Sequence, residues 1–302
     1  MKRRELGAHG GCDDLMSGDG WHEGLPYGLE EFQARMLEAG LSLYRDLPWR
    51  RTTDPYAIWV SEVMLQQTQV VRVDGRWQAW LKRFPTVETL ASADQANVLE
   101  EWQGMGYNRR ALALKRAAEV ICAAGNFPHD TESLEALPGI GPATAAGIRA
   151  FAFDLPGIYL ETNVRTVFLH ELFPGVEGVQ DATIRPLVGA SCPQEGVRTW
   201  YYALLDYGAH LKRTMGNPSR RSRTYARQSA FEGSHRQRRA EVVRILLAAR
   251  PKQLAFSEIE ERLNDVETSQ GRETVDEKEV RKLLEELTHE GFCRETGDRW
   301  SV

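Results

Sequence analysis

From Gly28 to about residue 212 the chain has no stretch in which apolar and polar residues alternate, and this excludes most sheet-containing folds for that region. It carries helical spacing instead, interrupted repeatedly by Pro and Gly. In "LEEFQARMLEAGLSLYRDL", Phe32, Met36, Leu37, Leu41 and Tyr44 recur at helical intervals and predict one apolar face. Asp54-Pro55 supplies an N-cap and a proline at the first helical position, so a helix is predicted to open there. Further helices are predicted in "VETLASADQANVLEEW", "RRALALKRAAEVICAAG", "ATAAGIRAFAF", "NVRTVFLHEL" and "TWYYALLDYGAHLKR". No period of about 20 to 50 residues repeats, which argues against a solenoid.

At 302 residues the chain can form one large domain and one small one. No apolar run approaches the length of a membrane span, so a membrane partner is not expected. "MKRREL" is basic but is followed by Gly, His and Asp rather than an apolar segment, which predicts no secretory signal and a cytoplasmic location. Residues 1–26 are Gly-rich and polar and are expected to form a disordered leader. Cys12, Cys122, Cys192 and Cys293 are far apart, with none of the short spacings of a metal site, and are expected to be reduced thiols.

The net charge of −5 argues against a uniformly basic nucleic-acid binder but hides an uneven distribution. After about residue 211, Lys212, Arg213, Arg220, Arg221, Arg223, Arg227, Arg236, Arg238, Arg239 and Arg244 accumulate against Glu232 and Glu241. Three helical patterns follow: "HRQRRAEVVRILLAA", "SEIEERL" opened by Ser257, and "DEKEVRKLLEELTHE". The chain closes with "GFCRETGDRWSV", which reads as a hairpin around Thr-Gly-Asp. Three helices and a hairpin predict a winged-helix domain over 236–302. Its third helix is so acidic that packing or protein contact is expected of it, in preference to insertion into a DNA groove.

Two stretches carry chemistry. "LPGIGPATAAGI", Leu137 to Ile148, is a Gly-x-Gly turn running into a small-residue helix. Exposed amides at such a helix start can hold a phosphate, although a plain helix connection has the same local pattern. "WVSEVMLQQTQV", Trp59 to Val70, places one acid, Glu62, in an otherwise uncharged segment. On its own such a residue could simply face solvent.

Together "LPWR" (Leu47 to Arg50), "SEVMLQQTQV", "GMGYNRRALAL" (Gly104 to Leu114), "LPGIGPATA" and "LETNVRTV" (Leu160 to Val167) occur in the order and spacing of the helix-hairpin-helix DNA glycosylases. Over roughly residues 30–212 the chain resembles the MutY-type adenine DNA glycosylases among them. The resemblance implies an all-α, two-subdomain helix-hairpin-helix core (27–212) with DNA and the active site in the cleft between the subdomains. An Arg-rich linker (213–235) and the C-terminal winged-helix domain (236–302) would follow.

By the same resemblance Glu62 is the general acid that protonates a flipped base. Glu161 stands where the family has an Asp that stabilises the positive sugar. Loss of a base leaves an oxocarbenium-like sugar, so one carboxyl must hold a proton while another supplies negative charge. From the residues alone, Glu161 is also explained as a carboxylate favoured at a helix start. Trp49, Arg50, Leu65 and Ala143 correspond to the base pocket, and Gln67 and Tyr107 to residues that enter the opened stack. Gly139 and Gly141 correspond to the DNA-binding hairpin.

Ala143 replaces the Lys of bifunctional relatives, so no Schiff base is expected and the enzyme should be monofunctional. The four cysteines that hold a [4Fe-4S] cluster in typical relatives are missing after "DYGAHLKR", so no cluster and no other cofactor is expected. Arg220, Arg221 and Arg223 could present cations to DNA in its place, or belong to a solvated linker. The implied partner is double-stranded DNA with a mismatch or lesion, bound by a monomer associated with the nucleoid. Mispaired adenine is the expected target, with another damaged or deaminated base as the alternative. A non-catalytic DNA-binding or regulatory protein is the reading from a different class.

Overall fold

The computed structural model describes residues 20–223 and 231–302, with the backbone alone at residues 219 and 220. Cys12, Arg227 and the first nineteen residues of the expected leader lie outside the described residues. The helices begin with α1 (Leu29–Ser42), a 3-10 turn (Pro48–Arg51), α2 (Pro55–Leu65), α3 (Val70–Val73), α4 (Arg76–Arg83), α5 (Val87–Ser92), α6 (Gln95–Glu101) and α7 (Arg109–Ala124). They continue with α8 (Thr131–Glu135), α9 (Pro142–Phe153), α10 (Thr162–Glu171), α11 (Asp181–Ser191), α12 (Val197–Thr214) and a second 3-10 turn (Pro218–Arg221). After α13 (His235–Ala249), the strand β1 (Leu254–Ala255) leads to α14 (Phe256–Ser269) and α15 (Glu277–His289), and β2 (Arg294–Glu295) and β3 (Arg299–Ser301) close the chain. None of the described helices is long and apolar enough to cross a membrane.

The chain divides into two compact units. The first takes the described residues of Met1–Gln67 and Asn126–Arg227. Its core joins Phe32 and Met36 of α1 to Phe151 of α9, Val164, Val167 and Phe168 of α10, and Trp200, Tyr201 and Leu204 of α12. Phe32 meets Phe168 edge-on at 5.3 Å between ring centroids. A side chain at Gly40 would strike Ala203, so the glycine sets how closely α1 and α12 approach.

Two expectations change in this unit. Phe32, Met36 and Gly40 form the buried face of α1, whereas Leu37 and Leu41 lie on an exposed one and Tyr44 is exposed beyond the helix end. The apolar positions of this helix therefore form two stripes, of which one meets the core. Residues 20–26 are not a loose leader: Leu25 is buried and the Trp21 ring sits 4.9 Å from that of Phe32.

The second unit takes Thr68–Gly125 and the described residues of Gln228–Val302. Trp80 packs edge-on against Phe84 and Trp102, with centroids 5.0 and 5.4 Å apart. "VETLASADQANVLEEW" is two helices, because the Asp94 carboxylate accepts from the Ala96 amide at 2.7 Å and restarts the helix there as α6.

In 228–302, α13, α14 and α15 surround Val242, Leu246, Ile259, Leu263, Val280, Leu284 and Leu287. β1, β3 and β2 pair antiparallel in that order, with Leu254 opposite Trp300 and Arg294 opposite Ser301. The cap of α14 is not Ser257: Glu258 reaches back to accept from the Ala255 amide at 2.9 Å. These residues share a compact unit with 68–125, so its boundaries cut across a division of the sequence at residues 212 and 236.

Candidate active site

The site grows from the close packing of α2 on α9. Asp54 caps α2 by accepting from the Tyr56 and Ala57 amides at 3.3 and 3.1 Å, with Pro55 at the first position, as the sequence predicts. α9 starts from the hairpin turn, where Gly139 has φ +78° and the Gly141 carbonyl accepts from the Ala145 amide at 2.9 Å. Gly147 of α9 then presents no side chain to Glu62 of α2. A Cβ at Gly147 would collide with the Glu62 carboxyl and crowd the Tyr159 ring. The glycine thus makes the space in which the acid sits.

Tyr159 donates its hydroxyl hydrogen to Glu62 Oε2 at 3.0 Å. It is buried, lies edge-on to Phe151 at 5.2 Å, and its amide donates to the Tyr201 hydroxyl at 3.2 Å. Burial pushes the Glu62 pKa up to about 8; the Tyr159 hydrogen bond opposes the rise and the nearby charge of Glu161 adds to it. Glu62 therefore keeps its proton at neutral pH while retaining partial access to solvent. The Tyr159 phenol is itself held well above its usual range, first by burial and then by the charge of Glu62, so it remains a donor.

Glu161 is the N-cap of α10, accepting from the Asn163 amide at 2.5 Å and the Val164 amide at 2.9 Å. That is the hydrogen bonding of a helix-start carboxylate, and the same position brings its charge within electrostatic reach of Glu62. α12 passes directly behind: a side chain at Gly208 would strike the Asn163 backbone, and Lys212 Nζ donates to Asn163 Oδ1 at 2.9 Å. Burial lowers the Lys212 pKa while the charge of Glu161 opposes that change.

Other candidates are placed less uniformly. Trp49 is buried, and Arg50, 6 % exposed, donates from both ends of its fork to Asp206 at 2.7 and 2.9 Å. The Arg50 guanidinium lies 4.3 Å from the centroid of the Tyr202 ring. Arg50 is thus committed to a buried ion pair and acts as a wall behind Tyr202. Leu65, the last residue of α2, is partly exposed, and Ala143 is exposed in the first turn of α9. Next to it Thr144 Oγ1 accepts from Gln66 Nε2 at 3.0 Å, tying α9 to the end of α2.

Gln67 in the first unit and Tyr107 in the second both have left-handed backbones, with φ +52° and +50°. This conformation is unfavourable for residues with a Cβ and concentrates at functional sites. Arg221, expected to face DNA, instead donates to the Phe173 and Leu169 carbonyls at 3.0 and 2.9 Å, closing the C-terminal end of α10. A charge run reveals no partners, and these carbonyls are 48 and 52 residues away in sequence. Arg223 is exposed, with its amide donating to the Val179 carbonyl at 3.2 Å; the side chain of Arg220 lies outside the description.

Tyr159 and Gly147 were missed in the sequence. An interior glycine in the predicted helix "ATAAGIRAFAF" was a usable signal for close approach, whereas nothing local marks a tyrosine 97 residues from its acid. Among the described residues no group of His, Cys, Asp and Glu could hold a metal ion, so Cys122, Cys192 and Cys293 do not fit a four-thiolate cluster.

Residues 60–182 match the family model described as "HhH-GPD superfamily base excision DNA repair protein". An adenine DNA glycosylase of Mycolicibacterium smegmatis is 38% identical over 169 residues, 55% of this chain and 58% of that protein. One of Mycobacterium tuberculosis is 44% identical over 127 residues, 41% of this chain and 42% of that protein. The chain thus spans about half the length of these curated relatives, 58% of the first and 42% of the second. A solved thermostable thymine-DNA glycosylase shares the fold, with a TM-score of 0.54 and 23% identity over 60% of this chain and 86% of that one.

Proposed function

Because residues 60–182 match the HhH-GPD superfamily of base excision DNA repair proteins, we propose that the chain is a monofunctional DNA glycosylase. Its substrate is double-stranded DNA containing a mismatch or lesion, and its target is a flipped adenine. The carrying observation is the Glu62 carboxyl, held protonated to about pH 8 beside a second carboxylate at the start of α10.

In the proposed reaction, Glu62 gives its proton to a ring nitrogen of the flipped base as the glycosidic bond breaks. Glu161 supplies negative charge opposite the developing oxocarbenium ion, and water completes the hydrolysis. Tyr159 orients the acid and stabilises the carboxylate left after proton transfer. Gln67 and Tyr107 fill the space vacated in the duplex, at the energetic cost of their left-handed backbones. Gly139 and Gly141 turn the α9 amides toward a phosphate. Ala143 offers no amine, so no covalent adduct should be trapped by borohydride. No cysteine stands between Asp206 and Cys293, so the protein is proposed to work without an iron-sulfur cluster, as a monomer in the cytoplasm. We read residues 236–302 as a winged helix, supported by the three helices and the β1-β3-β2 sheet.

Excision of another base is favoured by one feature: Ala143, exposed in the first turn of α9, carries only a methyl group. Single-turnover assays on duplexes with mismatched, oxidised and deaminated bases, with and without alkali, test both readings. Release of adenine, with strand cleavage only after alkali, is expected. Release of a different base selects the second reading, and release of none contradicts both.

A further inference from the structure

Tyr107 is 38% exposed, yet its ring is flanked by two cations. The Arg110 guanidinium, from the same region, lies 5.4 Å from the ring centroid. The Arg236 guanidinium lies 5.9 Å from it and also donates from Nη1 to the Tyr107 hydroxyl at 3.3 Å. Arg236 is on the first turn of α13, 129 residues along the chain. Its guanidinium is in turn 5.4 Å from the ring of Phe231, a second exposed aromatic. The result is an aromatic, cation, aromatic series at the surface, joining the strained loop of residue 107 to the C-terminal helices.

The anchorage behind this series makes the position of Arg236 definite. Arg239, one turn further along α13, binds Glu286 and Glu290 at 2.7 and 2.6 Å. Glu290 also receives Arg109, two residues after Tyr107 in sequence, at 2.7 and 2.5 Å. The neighbours of Tyr107 and Arg236 are therefore tied through one carboxylate, and relative motion of α13 and the residue 107 loop is restrained. An arginine at this distance can fix a ring by stacking and by its hydroxyl contact together, which a lysine cannot reproduce.

We propose that Arg236 is a positioning residue that sets the Tyr107 side chain for entry into the duplex, with Phe231 as the second face of the same stack. This gives the C-terminal residues a part in base opening, beyond any contact of their own with DNA. It rests on the reading of Tyr107 as a residue that enters the stack.

The test measures opening separately from chemistry. The full chain carrying Glu62→Gln is titrated onto duplexes with 2-aminopurine beside a mispaired adenine, and fluorescence reports opening. Arg236→Ala should reduce the opening equilibrium roughly tenfold, the scale of a partly desolvated cation–π contact. Arg236→Lys, which keeps the charge, should recover little of it. In a Tyr107→Ala background Arg236→Ala should change nothing further, and affinity for fully matched duplex should fall less than threefold throughout. Full recovery with Lys, or equal losses with and without Tyr107, would overturn the proposal and leave Arg236 as a phosphate contact. Unchanged thermal unfolding of Arg236→Lys keeps the comparison valid if the alanine variant folds poorly. Wild-type protein that opens the duplex but releases no base refutes the glycosylase reading alone; protein that opens no duplex refutes this inference as well.

Discussion

At residue scale, proton donation depends on how the Glu62 carboxyl is kept protonated. Glu62 sits against a glycine instead of a side chain, with one hydrogen-bond donor, Tyr159, on Oε2. Because Gly147 creates that space, Gly147→Ala should displace the acid. Overpacking of about 1 to 3 kcal/mol is expected, and displacement near 1 Å can cost roughly a hundredfold in rate. Single-turnover excision and thermal unfolding check this; an alanine variant with normal values of both would show that the space is not required. The acid was legible in the sequence because an uncharged helix draws attention to its one carboxylate. Its surroundings were not, because Gly147 and Tyr159 reach it through folding, and residue type does not state which neighbour a side chain will meet.

At the scale of single elements, α10 holds one proposed catalytic group at its start and an arginine clamp at its end. Glu161 caps its first turn, and Arg221 donates to the Leu169 and Phe173 carbonyls at the other end, roughly 15 Å away by helix rise. Arg221→Ala should therefore destabilise the protein by about 1 to 2 kcal/mol and leave the salt dependence of DNA binding unchanged. Denaturant unfolding and binding at several salt concentrations separate the two effects. A flatter salt slope with unaltered stability would restore the sequence-based reading of this arginine as a phosphate contact. The start of α2 was readable because a cap and a proline act within one turn. The two stripes of α1 were not, since spacing shows that residues share a surface but not whether a neighbour covers it.

At the scale of the whole molecule, the two carboxylates and the hairpin lie in one compact unit, and Tyr107 and the C-terminal helices in the other. The acidic character of α15, visible in the sequence, is absorbed within its own unit by His235, Arg239 and Arg109. Burial pulls the His235 pKa down, but its hydrogen bonds to Glu286 at 2.7 Å and Glu279 at 3.0 Å outweigh that and raise it above 6.5. A raised histidine stabilises fully below its unfolded value, and the contribution is lost as pH rises through the folded value. Thermal unfolding should accordingly show a stability that falls as pH rises above about 6.5, with a fall that shrinks in His235→Gln; the same fall in both proteins would remove His235 as its source.

The central claim, that Glu62 is the proton donor, is tested most directly by single-turnover excision of mispaired adenine as a function of pH. The account predicts a rate that declines above about pH 8, where Glu62 loses its proton, and no excision by Glu62→Gln although that variant still binds the duplex. Excision by Glu62→Gln at the wild-type rate would contradict it.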